Sequence, residues 1–288
     1  VGTLTNQGIE LEVGYKLSVD KVNLSFLANA SYVKNEIKNL GNQTGYIDKE
    51  SLPTLGTVSR NENGYPIGYF FGYKAIGVFQ TQEEIDSYIS PATGKPIQPN
   101  AAPGDTKFED LNGDGVISDD NEDRTMIGKP NPDWMVGLTV AADWNGFDLS
   151  AFFQGSFGAD VFDALRRYEL AAVNYTSDAL ERWTGPGTSN SMPRIVLGDT
   201  PKNFRPSTLL VHDASFLRLR NLQVGYTLPA QLTRKAYIQR LRFYASFDNL
   251  LTITGYKGMD PEIGSTMGID KGVYPQARVY TFGLNLTF

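Results

Sequence analysis

The residues from Val279 to Phe288, VYTFGLNLTF, repeat with a period of two. Tyr280, Phe282, Leu284, Leu286 and Phe288 fall on one face, and Thr281, Gly283, Asn285 and Thr287 on the other. Successive side chains of a strand point to opposite faces, whereas a helix would scatter these residues around its circumference. A strand that is greasy on one face and small and polar on the other belongs between an apolar and a polar medium. Two architectures offer that place. A membrane barrel turns the apolar face to lipid and the polar face to its lumen, and a soluble sandwich turns the apolar face to a second sheet.

The same alternation recurs along the chain. Ile9, Leu11, Val13, Tyr15 and Leu17 alternate with Glu10, Glu12, Gly14 and Lys16. After a tight turn at Ser18 to Lys21, Val22, Leu24, Phe26, Ala28, Ala30 and Tyr32 alternate with Asn23, Ser25, Asn29 and Ser31, which predicts a hairpin. The pattern returns from Trp134 to Trp144, turns on Asn145-Gly146 and runs back through Phe147, Leu149, Ala151 and Phe153. Asn-Gly between alternating runs signals a two-residue hairpin loop. Trp134 and Trp144 stand at opposite ends of one strand, where two membrane interfaces would hold aromatic belts; the competing reading is a pair of core tryptophans.

From Ser215 to Leu228 the phase slips: Leu217 and Leu219 are odd, while Leu222, Val224, Tyr226 and Leu228 are even, and a bulge near Arg220-Asn221 reconciles them. Leu241, Phe243, Ala245 and Phe247 follow, against Arg242, Tyr244, Ser246 and Asp248. The connections are alternately short and long, with the long ones at 33–133, 156–214 and 251–277. Outer-membrane barrels are wired in this way, with short periplasmic turns and long outer loops. The expected fold class is therefore all-β: part of a large antiparallel transmembrane barrel with long extracellular loops. The spanning candidates number about seven, fewer than the roughly eight that a closed single-chain barrel needs, so further strands are expected from elsewhere.

Composition narrows the function. No run of about 18 apolar residues suggests a helical membrane span. There is no cysteine, and His212 is the one histidine, read as a loop residue. Disulfides, zinc fingers, thiol catalysis and multi-histidine metal sites are thereby excluded. A net charge of −6 gives nucleic acid nothing to bind. The carboxylate neighbours Glu83-Glu84 and Asp119-Asp120 do not form a dyad across a cleft, and no nucleophile motif accompanies them, so no enzyme activity is expected. With neither a charged leader nor an apolar signal core after Val1, either a signal has been removed or the protein starts upstream.

Several stretches taken together resemble the C-terminal part of a SusC/RagA-type TonB-linked outer-membrane transporter. They are GYPIGYFFGYKAIGVFQTQEEI (64–85), PGDTKFEDLNGDGVIS (103–118), IGKPNPDWMVGL (127–138), FDLSAFFQGSFGADVF (147–162), DASFLRLRNLQVGYTLP (213–229), DNLLTITGYKGMDPEIG (248–264) and the final YTFGLNLTF. The resemblance covers nearly all of residues 1–288. It implies a barrel of about 22 strands in the outer membrane of a Gram-negative bacterium, with the plug and N-terminal strands absent from this stretch. It further implies import of oligosaccharides or peptides, a TonB-type energy-coupling protein acting through the missing N-terminal part, a SusD-like surface lipoprotein, and dimers of transporter–lipoprotein pairs in contact with membrane lipid. The alternative is a surface-binding or adhesive barrel without energised uptake.

One loop carries metal-binding chemistry. Asp110, Asn112 and Asp114 supply oxygens at the first, third and fifth positions of a calcium-type loop, Gly115 allows the sharp turn, and Val116 offers a backbone carbonyl. The twelfth position is Asn121 in place of Glu, with Glu122 and Asp123 just beyond, so the bidentate ligand departs from the pattern. The alternative is a turn whose side chains cap its own backbone; a bound calcium would stiffen an outer loop. Tyr65, Tyr69, Phe70, Phe71 and Tyr73 are read as packing aromatics, as are Arg182 and Trp183, rather than as a sugar-stacking platform. Facing the lumen, Arg218, Arg242, Tyr244 and Asp248 are expected to line the cargo path.

Overall fold

The computed structural model describes residues 2–53, 55–119, 122–165, 174–263 and 267–288. Seven long strands form one sheet in sequence order: Thr3–Val19, Val22–Asn39, Trp134–Trp144, Phe147–Phe157, Phe216–Thr227, Arg240–Thr254 and Val279–Thr287. Each is antiparallel to its neighbours, and the first and last do not pair with each other. The number of spanning strands and the third strand's bounds agree with the sequence reading. Among the described residues no helix is long and apolar enough to cross a membrane.

Register explains why alternation survives across the sheet. Ile9 pairs with Tyr32, Tyr32 with Trp134 and Trp134 with Phe157; Val13, Ala28 and Leu138 form another such row, continued by Phe153, Leu219 and Leu251. A one-residue slip would turn a strand's whole apolar set to the wrong side, so the hydrophobic pattern selects these partners. The outcome is one continuous apolar face, on which Ile9, Val13, Trp134, Trp144, Phe243 and Phe282 are all exposed.

Both tryptophans lie on this face, which removes the core alternative. Trp134 packs against Tyr32 with ring centroids 5.0 Å apart. At the other end Trp144 stacks on Phe147 at 6.2 Å, and Phe147 meets Tyr226 at 4.4 Å. The 11 residues from Trp134 to Trp144 extend about 33 Å along the strand, or about 25 Å of height at a tilt of roughly 40°, matching the apolar band of an outer-membrane barrel.

The short turns share one edge of the sheet. Asn145 and Gly146 both have positive φ, 47° and 89°, as a two-residue hairpin turn of this twist requires. Asp20, at φ 54°, begins the corresponding turn of the first hairpin. The bulge lies where the phase slips. Phe152 pairs with Asn221 and Phe153 with Leu219, leaving Arg220 as an extra residue against the fourth strand.

The long connections at the opposite edge differ from their sequence reading in two ways, in the reach of the flanking strands and in the place of His212. The second strand continues to Asn39 and the sixth to Thr254, because backbone pairing persists beyond the point where alternation stops being diagnostic. His212 is not in a loop: it belongs to the short strand Val211–Asp213, paired with Asp160–Asp163. The aromatic stretch Tyr69–Tyr73 is a fully buried strand in a four-stranded sheet with Tyr46–Asp48, Ser59–Glu62 and Arg124–Gly128, in keeping with its reading as core. The three connections fold together, since Leu52, Val58 and Phe70 from the first, Phe162 and Leu210 from the second and Ile269 from the third share one hydrophobic cluster. Gly72 shows how closely the strands approach: a Cβ there would lie 2.3 Å from the carbonyl oxygen of Pro206.

Lysine at Val140, mid-strand on the apolar face, is expected to destabilise the full-length protein in a bilayer by about 2–4 kcal/mol, whereas lysine at the neighbouring Thr139 on the polar face is expected to cost much less. Urea unfolding of both variants in lipid vesicles checks this; equal costs would remove the assignment of faces.

Candidate functional site: the polar face and the outer loops

The face opposite the apolar one carries Asn23, Ser25, Thr139, Asp148, Gln154, Arg218, Asn221, Arg242, Tyr244 and Asp248. Each is set there by its register: Arg218 faces Gln154 and Thr252, Arg242 faces Asn285, and Asp248 faces Asn221. All four expected path residues therefore share this face, but they do not form one cluster.

Towards the turn edge, Arg242 donates to Asp148 through Nε at 2.8 Å and Nη2 at 2.5 Å, a two-pronged pair across the intervening fifth strand. Gly225 lies between them, and a Cβ there would lie 2.5 Å from the Arg242 guanidinium. Tyr244 covers Gly283 in the same way, and the Arg242 guanidinium sits 5.2 Å from its ring centroid. Asp248 accepts from the Asn221 amide at 2.7 Å.

Towards the loop edge the bulge has a consequence that alternation alone hides. The extra residue lets Asn221 share the polar face with Arg218 and Arg220. Arg218 is 2% exposed and donates to Thr252 Oγ1, Asp260 Oδ1 and Glu262 Oε2 at 2.9, 2.5 and 3.0 Å. Arg220 donates to Gln154 Oε1 at 2.6 Å, to Asn249 Oδ1 at 3.2 Å and to both oxygens of Glu262 at 2.6 Å. Asp260 is also tied to the backbone, accepting from the amides of Glu262 and Gln276, each at 2.9 Å. A buried guanidinium is stable only when paired in this way. Arg218 thus fastens the last long connection to the wall. The phase slip at Arg220 was the sequence signal for this cluster; nothing in sequence order marked Asp260 or Glu262 as its partners.

The Asp110–Asp123 loop is closed largely by its own backbone. Asp110 accepts from the amides of Gly113 and Gly115, both at 2.9 Å, Asn112 Oδ1 from Asp114 at 2.9 Å, and Asp114 Oδ1 from Val116 at 2.8 Å. Asp123, fully buried, accepts from Leu111 at 3.1 Å and Ser118 at 2.9 Å. The Asn112 amide nitrogen bridges Asp114 and Glu122, 3.0 Å from each, placing a donor where a cation would need an oxygen. Among the described residues no group of three or more Asp, Glu or His side chains gathers to hold a metal ion. As placed, these residues form a self-capped turn; Asp120 and Asn121 lie outside the described residues.

Elsewhere the loops are joined by buried polar contacts. Arg194 donates to Asp105 at 2.6 and 3.1 Å, and Asn203 joins them at 3.1 Å. The Asp105 carboxylate holds the Arg194 guanidinium above its ordinary range. Trp183 covers Gly104, which has φ 93° and room for no Cβ, while its Nε1 donates to Gln80 at 3.2 Å. Arg182 caps the carbonyl of Ala179 at 3.0 Å. Both residues are thus packed into the loops, as expected. The Tyr69 phenol, buried and bonded to Glu62, is pushed up from its ordinary value first by burial and then by that carboxylate.

Asp160, at the foot of the loops, has its carboxyl raised, chiefly by burial, against the opposing effect of the Lys129 amide that donates to it at 3.0 Å. A carboxyl raised in the fold contributes stability that is fully present below the ordinary carboxylate range and is lost as pH rises through the raised value. Asp160→Asn is therefore expected to leave loop stability unchanged in acid and to increase it at neutral pH. Hydrogen exchange of residues 124–133 and 158–163 across pH measures this; a neutral-pH loss would show that the charge itself is needed.

No protein-family model matches the chain. Among curated relatives, the TonB-dependent receptor P3 of Formosa agariphila is 32% identical over 302 residues, covering 100% of this chain and 29% of the relative. The TonB-dependent receptor SusC of Bacteroides thetaiotaomicron is 30% identical over 294 residues, covering 100% of this chain and 27% of the relative. Among solved structures, the RagAB peptide importer in its open-open state matches with a TM-score of 0.75 and 26% identity, covering 100% of this chain and 29% of that one. Its closed-closed state matches at 0.73 and 27%. The chain spans less than a third of the length of these relatives, which are receptors and importers. Over its whole extent the chain is similar to TonB-dependent receptors, SusC among them, and to the RagAB importer, and the part it matches is one segment of antiparallel wall with its long loops.

Proposed function

We propose that this chain forms part of the wall and outer loops of a TonB-dependent importer in the outer membrane of a Gram-negative bacterium. The whole protein takes up oligosaccharides or peptides delivered by a SusD-like surface lipoprotein, with energy from a TonB-type coupling protein and lipid around the apolar face. The observation that carries this reading is similarity over the full extent of both wall and loops to receptors and importers of this kind. Likeness to a peptide importer supports the peptide branch; the oligosaccharide branch rests on what the sequence resemblance implies. A continuous polar face, on which Arg218, Arg220 and Arg242 are each paired with a carboxylate, suits a passage for polar solutes. Dimers of transporter–lipoprotein pairs extend the same proposal.

Deleting the gene is expected to abolish uptake of labelled oligopeptides or oligosaccharides, with restoration by the full-length gene only where the coupling protein is intact. Uptake that persists without the coupling protein, or surface binding lost with no change in uptake, would favour an adhesive barrel. For the 110–123 loop, structural calcium stands as a proposal supported by the order of its oxygen-bearing residues, and it requires the Asn112 amide to release its bridge. Millimolar calcium is then expected to slow amide exchange across residues 110–118; unchanged exchange leaves the self-capped turn as the whole account of the loop.

A further inference from the structure

The two carboxylates that meet the arginines at the bulge are held differently. Asp260 accepts the amides of Glu262 and Gln276 as well as Arg218, so its position is set by the backbone around it. Among the described residues the Glu262 carboxylate is bonded to Arg218 and Arg220 alone. Burial differs in the same sense: the side chains of Arg218 and Asp260 are 2% and 8% exposed, those of Arg220 and Glu262 20% and 32%.

The guanidinium of Arg220 is oriented independently of Glu262. Gln154 of the fourth strand fixes its Nε, and Asn249 of the sixth, held at φ 52°, fixes Nη1. Asn249 is itself pinned by donating to the carbonyl of Ala277 at 2.9 Å. Arg218 is likewise oriented by Thr252 and Asp260. Two prealigned guanidiniums therefore converge on one point of the polar face, and a carboxylate occupies it. Among the described residues the other charges nearby are already engaged, Asp260 by Arg218 and Asp248 by Asn221. Asp248 keeps its charge, since Asn221 is neutral, but among the described residues Glu262 is the ion-pair partner of Arg220, and removing it would leave that guanidinium without one.

The geometry points to a carboxylate-binding site formed by Arg220 and Arg218 with Gln154, Asn249 and Thr252, in which Glu262 stands in for the carboxylate of an incoming solute. Such a solute displaces Glu262 and takes over its charge-assisted hydrogen bonds, while Asp260 keeps Arg218 in place. The exchange is between like groups, so it replaces one desolvated ion pair by another and leaves no buried charge unpaired. The inference rests on the import reading only for the source of the solute, which must reach the polar face.

The full-length transporter in detergent, its barrel verified by heat-modifiable mobility, provides the test. The probes are N-acetylglycine against N-acetylglycinamide and glucuronate against glucose, read by saturation-transfer NMR. Glu262→Gln removes the competing carboxylate while keeping its shape. It is expected to bind one acid at least about tenfold more tightly than the wild type does, with its neutral counterpart unchanged. N-acetylglycine as the responding acid identifies a peptide-type carboxylate, and glucuronate a sugar acid. Adding Arg220→Gln is expected to abolish the gain. Equal binding of acid and neutral probes by Glu262→Gln, or a gain that survives Arg220→Gln, overturns the site. Uptake is scored separately. Acid binding without coupled uptake overturns the import reading alone, and coupled uptake without acid binding overturns the site alone.

Discussion

Every backbone amide and carbonyl in the wall needs a partner, because hydrocarbon offers none and each unpaired group there costs several kcal/mol. Antiparallel pairing in sequence order meets that demand through the five inner strands, and the register it adopts is the one that gathers Ile9, Tyr32, Trp134 and Phe157 into a single row. Hydrogen bonding and side-chain partition thus select the same structure. Either acting alone would leave register or facing undetermined.

The bulge at Arg220 is where this agreement is locally given up. Alternation from Leu217 and Leu219 puts Arg220 on the polar face beside Arg218; the extra residue keeps Asn221 on that face as well and returns Leu222 to the apolar one. The distortion is also placed where the last long connection must be attached. Asp260 and Glu262 enter from that connection and close on the two guanidiniums, so irregular backbone and buried charge meet at one point. At the turn edge, by contrast, register is regular, and Arg242 reaches Asp148 across Gly225.

Beyond the wall a different rule applies. The outer loops have no lipid to define a face, and they bury a core of their own, in which Val58, Phe70, Phe162 and Ile269 come from three separate connections. Phe70 and Ile269 are far apart in sequence and lie in stretches with little alternation. Their meeting depends on the wall bringing the ends of all three connections to one edge.

What the chain's own order of residues determined is therefore the wall: strand number, facing, the Asn145-Gly146 turn, the phase slip near Arg220 and the aromatic pair Trp134 and Trp144. Period-two alternation is a local signal, complete within each strand, and needs no knowledge of neighbours. The same signal put Arg218, Arg242, Tyr244 and Asp248 on one face. Only the tertiary structure decided their partners, Asp260 and Glu262 for Arg218, Asp148 for Arg242 and Asn221 for Asp248, because ion pairs and hydrogen bonds depend on distance in space and leave no periodic trace. The same reason explains why the strand around His212 and the buried Tyr69–Tyr73 strand emerged only in three dimensions. The Tyr69–Tyr73 strand is buried on both faces and the His212 strand is only three residues long, so neither has alternation to display, and their place is set by the connections that pack around them.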